Sequence, residues 1–214
     1  LENIKSHSDY AFEEFVSGSN NSVWETDNFK NALNSSTNGS LNLLHDGHRI
    51  NDTYQYGDLS FNVCLSDING ETPTSGVIFR GQQTPALGIK GYYFNIVTLE
   101  NYIQIWYMDE AYGTAGQSVL EYLGGWVFPG EVENTTFKLI VDGNYAYVYT
   151  LEDFLTKGRD AYGCSVDLTK GGIFAPITSG GIGVLNWTNN TTVTSKLTIS
   201  NLRGTITNQT PAVS

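Results

Sequence analysis

The sequence predicts an all-β fold, two antiparallel sheets packed face to face as a sandwich of the jelly-roll type. Three observations carry this. Apolar and polar residues alternate in run after run, the period of a strand with one buried face. The 23 glycines, with abundant Asn, Ser and Thr, supply turns at short intervals. Helix signals are confined to AFEEFV at 11–16 and to LEDFLTKG at 151–158, the latter ending in Gly158. Strands with one apolar face each must pair as two layers.

The elements follow in order. Leu59, Phe61, Val63 and Leu65 fall on one face, with Ser60, Asn62 and Cys64 on the other. GVIFRG at 76–81 follows the turn-rich SDINGETPTS. GYYFNIV at 91–97 and NYIQIWYM at 101–108 are separated only by TLE and read as a hairpin. SVLEYLGGWVF at 118–128 follows the flexible AYGTAGQ. TFKLIVDGNYAYVYTL at 136–151 reads as a hairpin around Asp142-Gly143, a preferred type I′ pair. GGIGVLNW at 180–187 and TTVTSKLTISNL at 191–202 form another, around Asn189-Asn190. ITNQTPAVS is polar and aperiodic, so residues 1–205 read as one module and 206–214 as a connecting tail. A chain of 214 residues fits one domain, because all-β sandwiches of roughly 200–250 residues are routinely single domains.

Charge narrows the function. Lys and Arg total 11 against 22 Asp and Glu, a formal net charge of −11. Without a basic cluster the chain is not expected to bind nucleic acid or anionic membranes. No run of about 18 apolar residues exists, so no membrane insertion is expected. The opening LENIKSHSDYAFEEF is too polar for a leader peptide, and one removed before this numbering starts stays open. Cys64 and Cys164 allow one bridge or two thiols, and spacing does not choose between them. N-x-S/T triplets begin at Asn20, Asn34, Asn38, Asn51, Asn134, Asn186, Asn189, Asn190 and Asn208. They fit a glycosylated secreted protein or an Asn/Thr-rich bacterial surface, and the second is preferred because Asn186 and Asn190 crowd a candidate site. Both place the chain outside a cytosol, extracellular or at a cell surface.

Catalytic signatures are missing. His7, His45 and His48 lie beside no nucleophile motif, and the His45–His48 spacing reads better as a polar turn than as a metal site. Glycoside cleavage needs two carboxyl groups about 5–9 Å apart. Sandwich glycosidases often carry them as E-x-D-x-E, which this chain lacks. Glu13-Glu14, Asp109-Glu110 and Glu152-Asp153 are adjacent pairs, whose side chains diverge in a strand. Asp67-Ile68-Asn69-Gly70-Glu71 is a fragment of a calcium loop and reads first as a tight turn. No cofactor is required, and a structural calcium ion stays open without an assigned position.

Aromatic residues remain. A sugar presents an apolar C–H face that stacks on an aromatic ring, while Arg, Asp, Asn and Gln bond its hydroxyls. The candidates are Arg80, Tyr92, Tyr93, Trp106, Tyr107, Asp109, Trp126, Asn186 and Trp187. Alternation puts Ile103, Ile105 and Tyr107 on one face and Tyr102, Gln104, Trp106 and Met108 on the other, so either Trp106 or Tyr107 is core. Arg80, among apolar neighbours, reads equally as a buried ion-pair partner. Tyr145, Tyr147 and Tyr149 form a single-face stripe that reads as core or sheet surface, and Trp24 reads as core.

The order of these motifs resembles a known group. Trp24 and GSLNLL precede LSFNVCL, GVIFRG, GYYFNI, IQIWYM, TTFKLIVDGNYAYVY, GGIGVLNW and TTVTSKLTISNL. Over roughly residues 10–205 this resembles the concanavalin A-like, laminin G-like sandwiches that accompany bacterial glycosidases. It is most similar to family 66 carbohydrate-binding modules and to the C-terminal sandwich of glycoside hydrolase family 32. The resemblance implies a two-sheet jelly roll without catalysis that binds a polysaccharide or oligosaccharide, often a fructan through its terminal fructose. It implies that Arg80 and Tyr92 or Tyr93 contact the sugar, with Trp187 next. Segments 109–126 and 151–180 are longer than the compact pattern, which bears on fructose specificity. The expectation is a monomeric, non-catalytic module covalently joined to a catalytic domain. The alternatives are a stand-alone glycoside hydrolase or lyase and a laminin G-type protein-binding adhesion domain.

Overall fold

A computed structural model describes residues 4–6, 16–17, 39–43, 47–70, 74–83, 89–109, 119–172, 175–187 and 194–209. Its strands are β1 (Ile4–Ser6), β2 (Val16–Ser17), β3 (Gly39–Leu43), β4 (Gly47–Asn69), β5 (Thr74–Gln83), β6 (Ile89–Val97), β7 (Tyr102–Asp109), β8 (Val119–Val127), β9 (Thr136–Asp142), β10 (Tyr145–Thr150), β11 (Gly163–Asp167), β12 (Gly180–Trp187) and β13 (Thr194–Gln209). Among the described residues a short α-helix, α1 (Leu151–Lys157), leads from β10 toward β11. Among the described residues every pairing is antiparallel.

The long strand β4 belongs to both layers. Its first half pairs β12 from Gly47↔Asn186 to Tyr56↔Gly180. Beyond Asp58 the same edge pairs β9 from Leu59↔Val141 to Cys64↔Thr136. The front layer therefore runs β4-β12-β5-β6-β7-β8, and the back layer runs β13-β4-β9-β10-β11. Alternation turns one face of each layer into a shared core. Phe61 of the back layer meets Phe94 of the front edge-on, with ring centroids 6.4 Å apart. Val63, Val77, Phe137, Leu139, Ile182 and Val184 fill the space around them with no exposure. Each such side chain contributes roughly 1.5–3 kcal/mol by leaving water.

Arg80 ties the layers together at one end. Its φ of 49° breaks the alternation of β5, and the pairing with β6 shifts register there. Phe79 and Arg80 consequently both point inward, a bulge that re-aims one side chain. Arg80 Nε donates to the Gly57 carbonyl at 3.0 Å, and Nη1 donates to Gly143 and Ile177 at 2.7 and 3.2 Å. Nη2 reaches the Asp58 carboxylate at 3.4 Å, and that carboxylate also accepts from the Gly143 amide. Gly180 must be glycine here, since a Cβ would stand 2.3 Å from the Arg80 backbone.

Several expectations shift by small amounts. The β9–β10 hairpin turns on Gly143-Asn144 rather than Asp142-Gly143. Asp142 pairs Tyr145 as the last rung, and Gly143 takes the positive φ of 58° that the tight turn needs. β13 continues through Ile206 and Asn208 to Gln209, past the expected boundary at residue 205, because β4 offers a partner edge at Tyr56, Gln55 and Tyr54. The helix at 151–158 forms, capped by the Thr150 hydroxyl accepting from the Asp153 amide at 3.2 Å. Both cysteines are free thiols. The hairpin expected of 180–187 and 191–202 does not form: β12 pairs β4 and β5, while β13 pairs β1, β3 and β4, because β4 runs between them and takes one on each edge. Trp24, residues 11–15 of the AFEEFV segment, Asn189-Asn190 and residues 210–214 lie outside the described residues.

Candidate functional site

The outer face of β6, β7 and β8 collects aromatic and amide side chains. The cause is strand alternation: Phe94, Ile96, Ile103 and Ile105 go to the core, which leaves Tyr93, Asn95, Gln104 and Trp106 pointing the other way. Register then sets neighbours side by side, Tyr93 against Trp106 and Asn95 against Gln104. A register shift between Ile105 and Trp106 places Tyr122 of β8 opposite Trp106. Gly125 is opposite Gln104, where a Cβ would come within 2.9 Å of the Tyr122 hydroxyl.

The side chains form one connected network. Tyr93 Oη donates to Asn95 Oδ1 at 2.9 Å, and Asn95 Nδ2 donates to Gln104 Oε1 at 3.3 Å. Trp106 Nε1 donates to the same Gln104 oxygen at 2.9 Å. The Tyr102 and Tyr122 hydroxyls stand 2.6 Å apart. Tyr122 meets Trp106 edge-on, with centroids 5.4 Å apart and planes at 65°. Ile50, Ile78, Met108 and Leu185 form an apolar floor beneath, against which Trp106 packs. Tyr93 and Asn95 are buried, while Tyr102, Gln104, Trp106 and Tyr122 are half-exposed. Burial, followed by the hydrogen bond to Tyr102, pushes the Tyr122 phenol well up. The face thus stays uncharged, with hydroxyls and an amide beside ring faces.

The expected site residues divide between this face and the interior. Tyr93 and Trp106 lie on it. Arg80 does not: it is 2% exposed, and its guanidinium is engaged by carbonyls and Asp58. Burial pulls its pKa down and Asp58 partly restores it. Tyr92 is core, stacked on Phe79 at 5.4 Å, and its hydroxyl accepts from the Ile177 amide at 3.1 Å. Tyr107 is core, edge-on to Tyr92 at 6.0 Å, which settles the alternative between Tyr107 and Trp106. Asn186 is 2% exposed and accepts a hydrogen bond from Ser75, so its triplet is closed to glycan attachment in the folded chain. These four were expected at a ligand, but alternation and the bulge at Arg80 turn them inward. Asp109 is buried at the end of β7, and Trp126 faces the core edge against Phe137. The Trp187 side chain lies outside the described residues. Tyr102, Gln104 and Tyr122 were not singled out. The i, i+2 spacing of Tyr102, Gln104 and Trp106 in YIQIWYM was the available signal, whereas the Tyr122 partnership depends on register. Among the described residues, no three His, Cys, Asp or Glu side chains gather to hold a metal ion.

No family model and no curated protein matches the chain. Solved structures do. The chain is similar to the carbohydrate-binding module CBM66 from Bacillus subtilis, at TM-score 0.50 and 10% identity, over 95% of this chain and 96% of that one. It is also similar to a Bacillus subtilis protein of unknown function with a galectin-like fold, at TM-score 0.51 and 12% identity, over 78% and 83%. The chain is an all-β antiparallel sandwich, and its fold is similar to those of these two structures.

Proposed function

We propose that this chain is a non-catalytic carbohydrate-binding module that takes a neutral glycan on the outer face of β6, β7 and β8. The observation that carries this is the half-exposed Trp106–Tyr122 pair beside the Gln104 amide and the Tyr102 hydroxyl. Rings offer a stacking surface for a sugar's C–H face, and the fixed amide and phenols offer hydrogen bonds to its hydroxyls. Among the described residues, alternation turns Asp109 and Glu121 away from this face, which supports binding over glycoside cleavage by a carboxyl pair. A fructan is the leading glycan. Fusion to a catalytic domain outside a cell would let modest affinity act through raised local concentration.

The test is a glycan array, including levan and inulin, with reducing-end release assayed on every hit. Binding without turnover is expected. Trp106→Ala should weaken it about tenfold, a loss of about 1.4 kcal/mol, at unchanged circular dichroism. Turnover by the isolated chain, or binding indifferent to Trp106→Ala, would overturn the proposal.

A further inference from the structure

At the other end of β8 the chain builds a cleft that the outer face does not share. It measures about 780 Å³ and lies between the β8–β9 connection and α1. That volume is within the range of about 300–1,000 Å³ of small-molecule sites. Trp126 and Phe128 line it, and Tyr162 stands at its rim with 71% of its surface exposed. The three rings brace each other: Trp126 lies 5.1 Å from Phe128 and 5.8 Å from Tyr162, both edge-on. Glu152 and Asp153 of α1 also line it.

The walls are fixed in advance. Asn101 holds the β8–β9 connection twice, its carbonyl accepting from the Phe128 amide and its Oδ1 from the Val132 amide, each at 3.0 Å. The Asn134 amide donates to the Leu65 carbonyl at 2.9 Å. Thr150 caps α1 from the opposite wall. An exposed ring on such a braced frame loses little entropy when something stacks on it.

We infer that this cleft is a second glycan subsite, which takes a neutral sugar residue stacked on Tyr162 and hydrogen-bonded to Glu152 or Asp153, and which rejects acidic sugars. The charge sets that preference. Among the described residues no Lys, Arg or His lines the cleft, while two carboxylates do. Among the described residues neither carboxylate is ion-paired. A carboxylate accepts strongly from sugar hydroxyls. A uronate or sulfated sugar would meet like charge without compensation. The subsite does not rest on the outer face: the two use different strand ends and different rings.

The test follows the Trp126 indole N–H signal in a proton–nitrogen correlation spectrum of the 214-residue chain. The signal is assigned with Trp126→Phe. Millimolar cellotetraose, xylotetraose and levan-derived fructotetraose serve as neutral probes, and tetragalacturonate as the acidic one. At least one neutral probe should shift the signal saturably, with no shift from tetragalacturonate. Tyr162→Ala should weaken that binding about tenfold, and Trp106→Ala should leave it unchanged. E152Q/D153N should admit tetragalacturonate. Silence from every neutral probe, an equal response to tetragalacturonate, or indifference to Tyr162→Ala overturns the inference. Saturation at Trp126 that survives Trp106→Ala separates this subsite from the outer face, whichever of the two fails.

Discussion

Arg80→Ala removes a side chain that bonds both layers at the end of the core. The Gly57 and Ile177 carbonyls are buried acceptors that would lose their donor. Each such loss costs about 1–3 kcal/mol, because no water replaces the bond. The Gly143 carbonyl lies at an exposed turn, and Asp58 is 56% exposed, so both regain water and add about 0–1 kcal/mol. With partial relaxation of the site, the expected total is about 3–5 kcal/mol. That is a large share of the roughly 5–15 kcal/mol that holds a domain folded. Urea denaturation followed by tryptophan fluorescence should show the midpoint falling by about 1–3 M at an unchanged slope. Asp58→Asn keeps the shape and should cost only about 1 kcal/mol. Arg80→Lys keeps the charge without the planar fork and should fall between the two. A loss below about 1 kcal/mol in Arg80→Ala would refute the strut. A stable Arg80→Ala protein with lost glycan binding would return Arg80 to a ligand-contacting role.

Two further outcomes concern titration. Burial pushes the Cys164 thiol up to about 11 and raises Cys64 as well. The thiolate is the reactive form, so at pH 8 about one part in a thousand of Cys164 is ionised. Both thiols should resist iodoacetamide in the native protein and react in urea, and rapid native labelling would refute this. Asp167 is held below its ordinary pKa, first by the Thr169 hydroxyl at 2.7 Å and then by the Thr169 amide at 2.8 Å. Its contribution to stability is therefore present above the unfolded carboxylate value and is lost as pH falls through the lower folded one. Thr169→Val should raise the Asp167 midpoint toward the ordinary value in a carboxyl NMR titration, and an unmoved midpoint would refute the hydroxyl's role.

Much of the fold was legible because strand alternation is a local property. Phe61, Val63 and Leu65 face the core as their spacing dictates, and the 91–97 and 101–108 runs form the hairpin that their short connection implies. The turn at Gly143-Asn144 was misplaced by one residue, since both Asp-Gly and Gly-Asn pairs satisfy the local signal and only the pairing of Asp142 with Tyr145 decides. The site was less legible. Tyr92 and Tyr93 are identical in sequence terms, yet Tyr92 joins the core between the layers and Tyr93 the separate buried cluster on the opposite side of β6, according to which side of β6 meets the back layer.

The sequence by itself determined an all-β chain of one-faced strands, rich in aromatic residues and poor in cations. Period-two hydrophobicity and composition are properties of neighbours along the chain, and they carry that much without a partner strand. Tertiary structure decided which rings lie between the layers and which on the outer face. The bulge at Arg80 turns an expected contact into a strut, and the register shift at Trp106 brings up Tyr122. The anchoring of the β8–β9 connection by Asn101 opens a cleft over Trp126. Each depends on pairing between residues far apart in sequence, and a slip of a single residue there reverses which face a side chain takes.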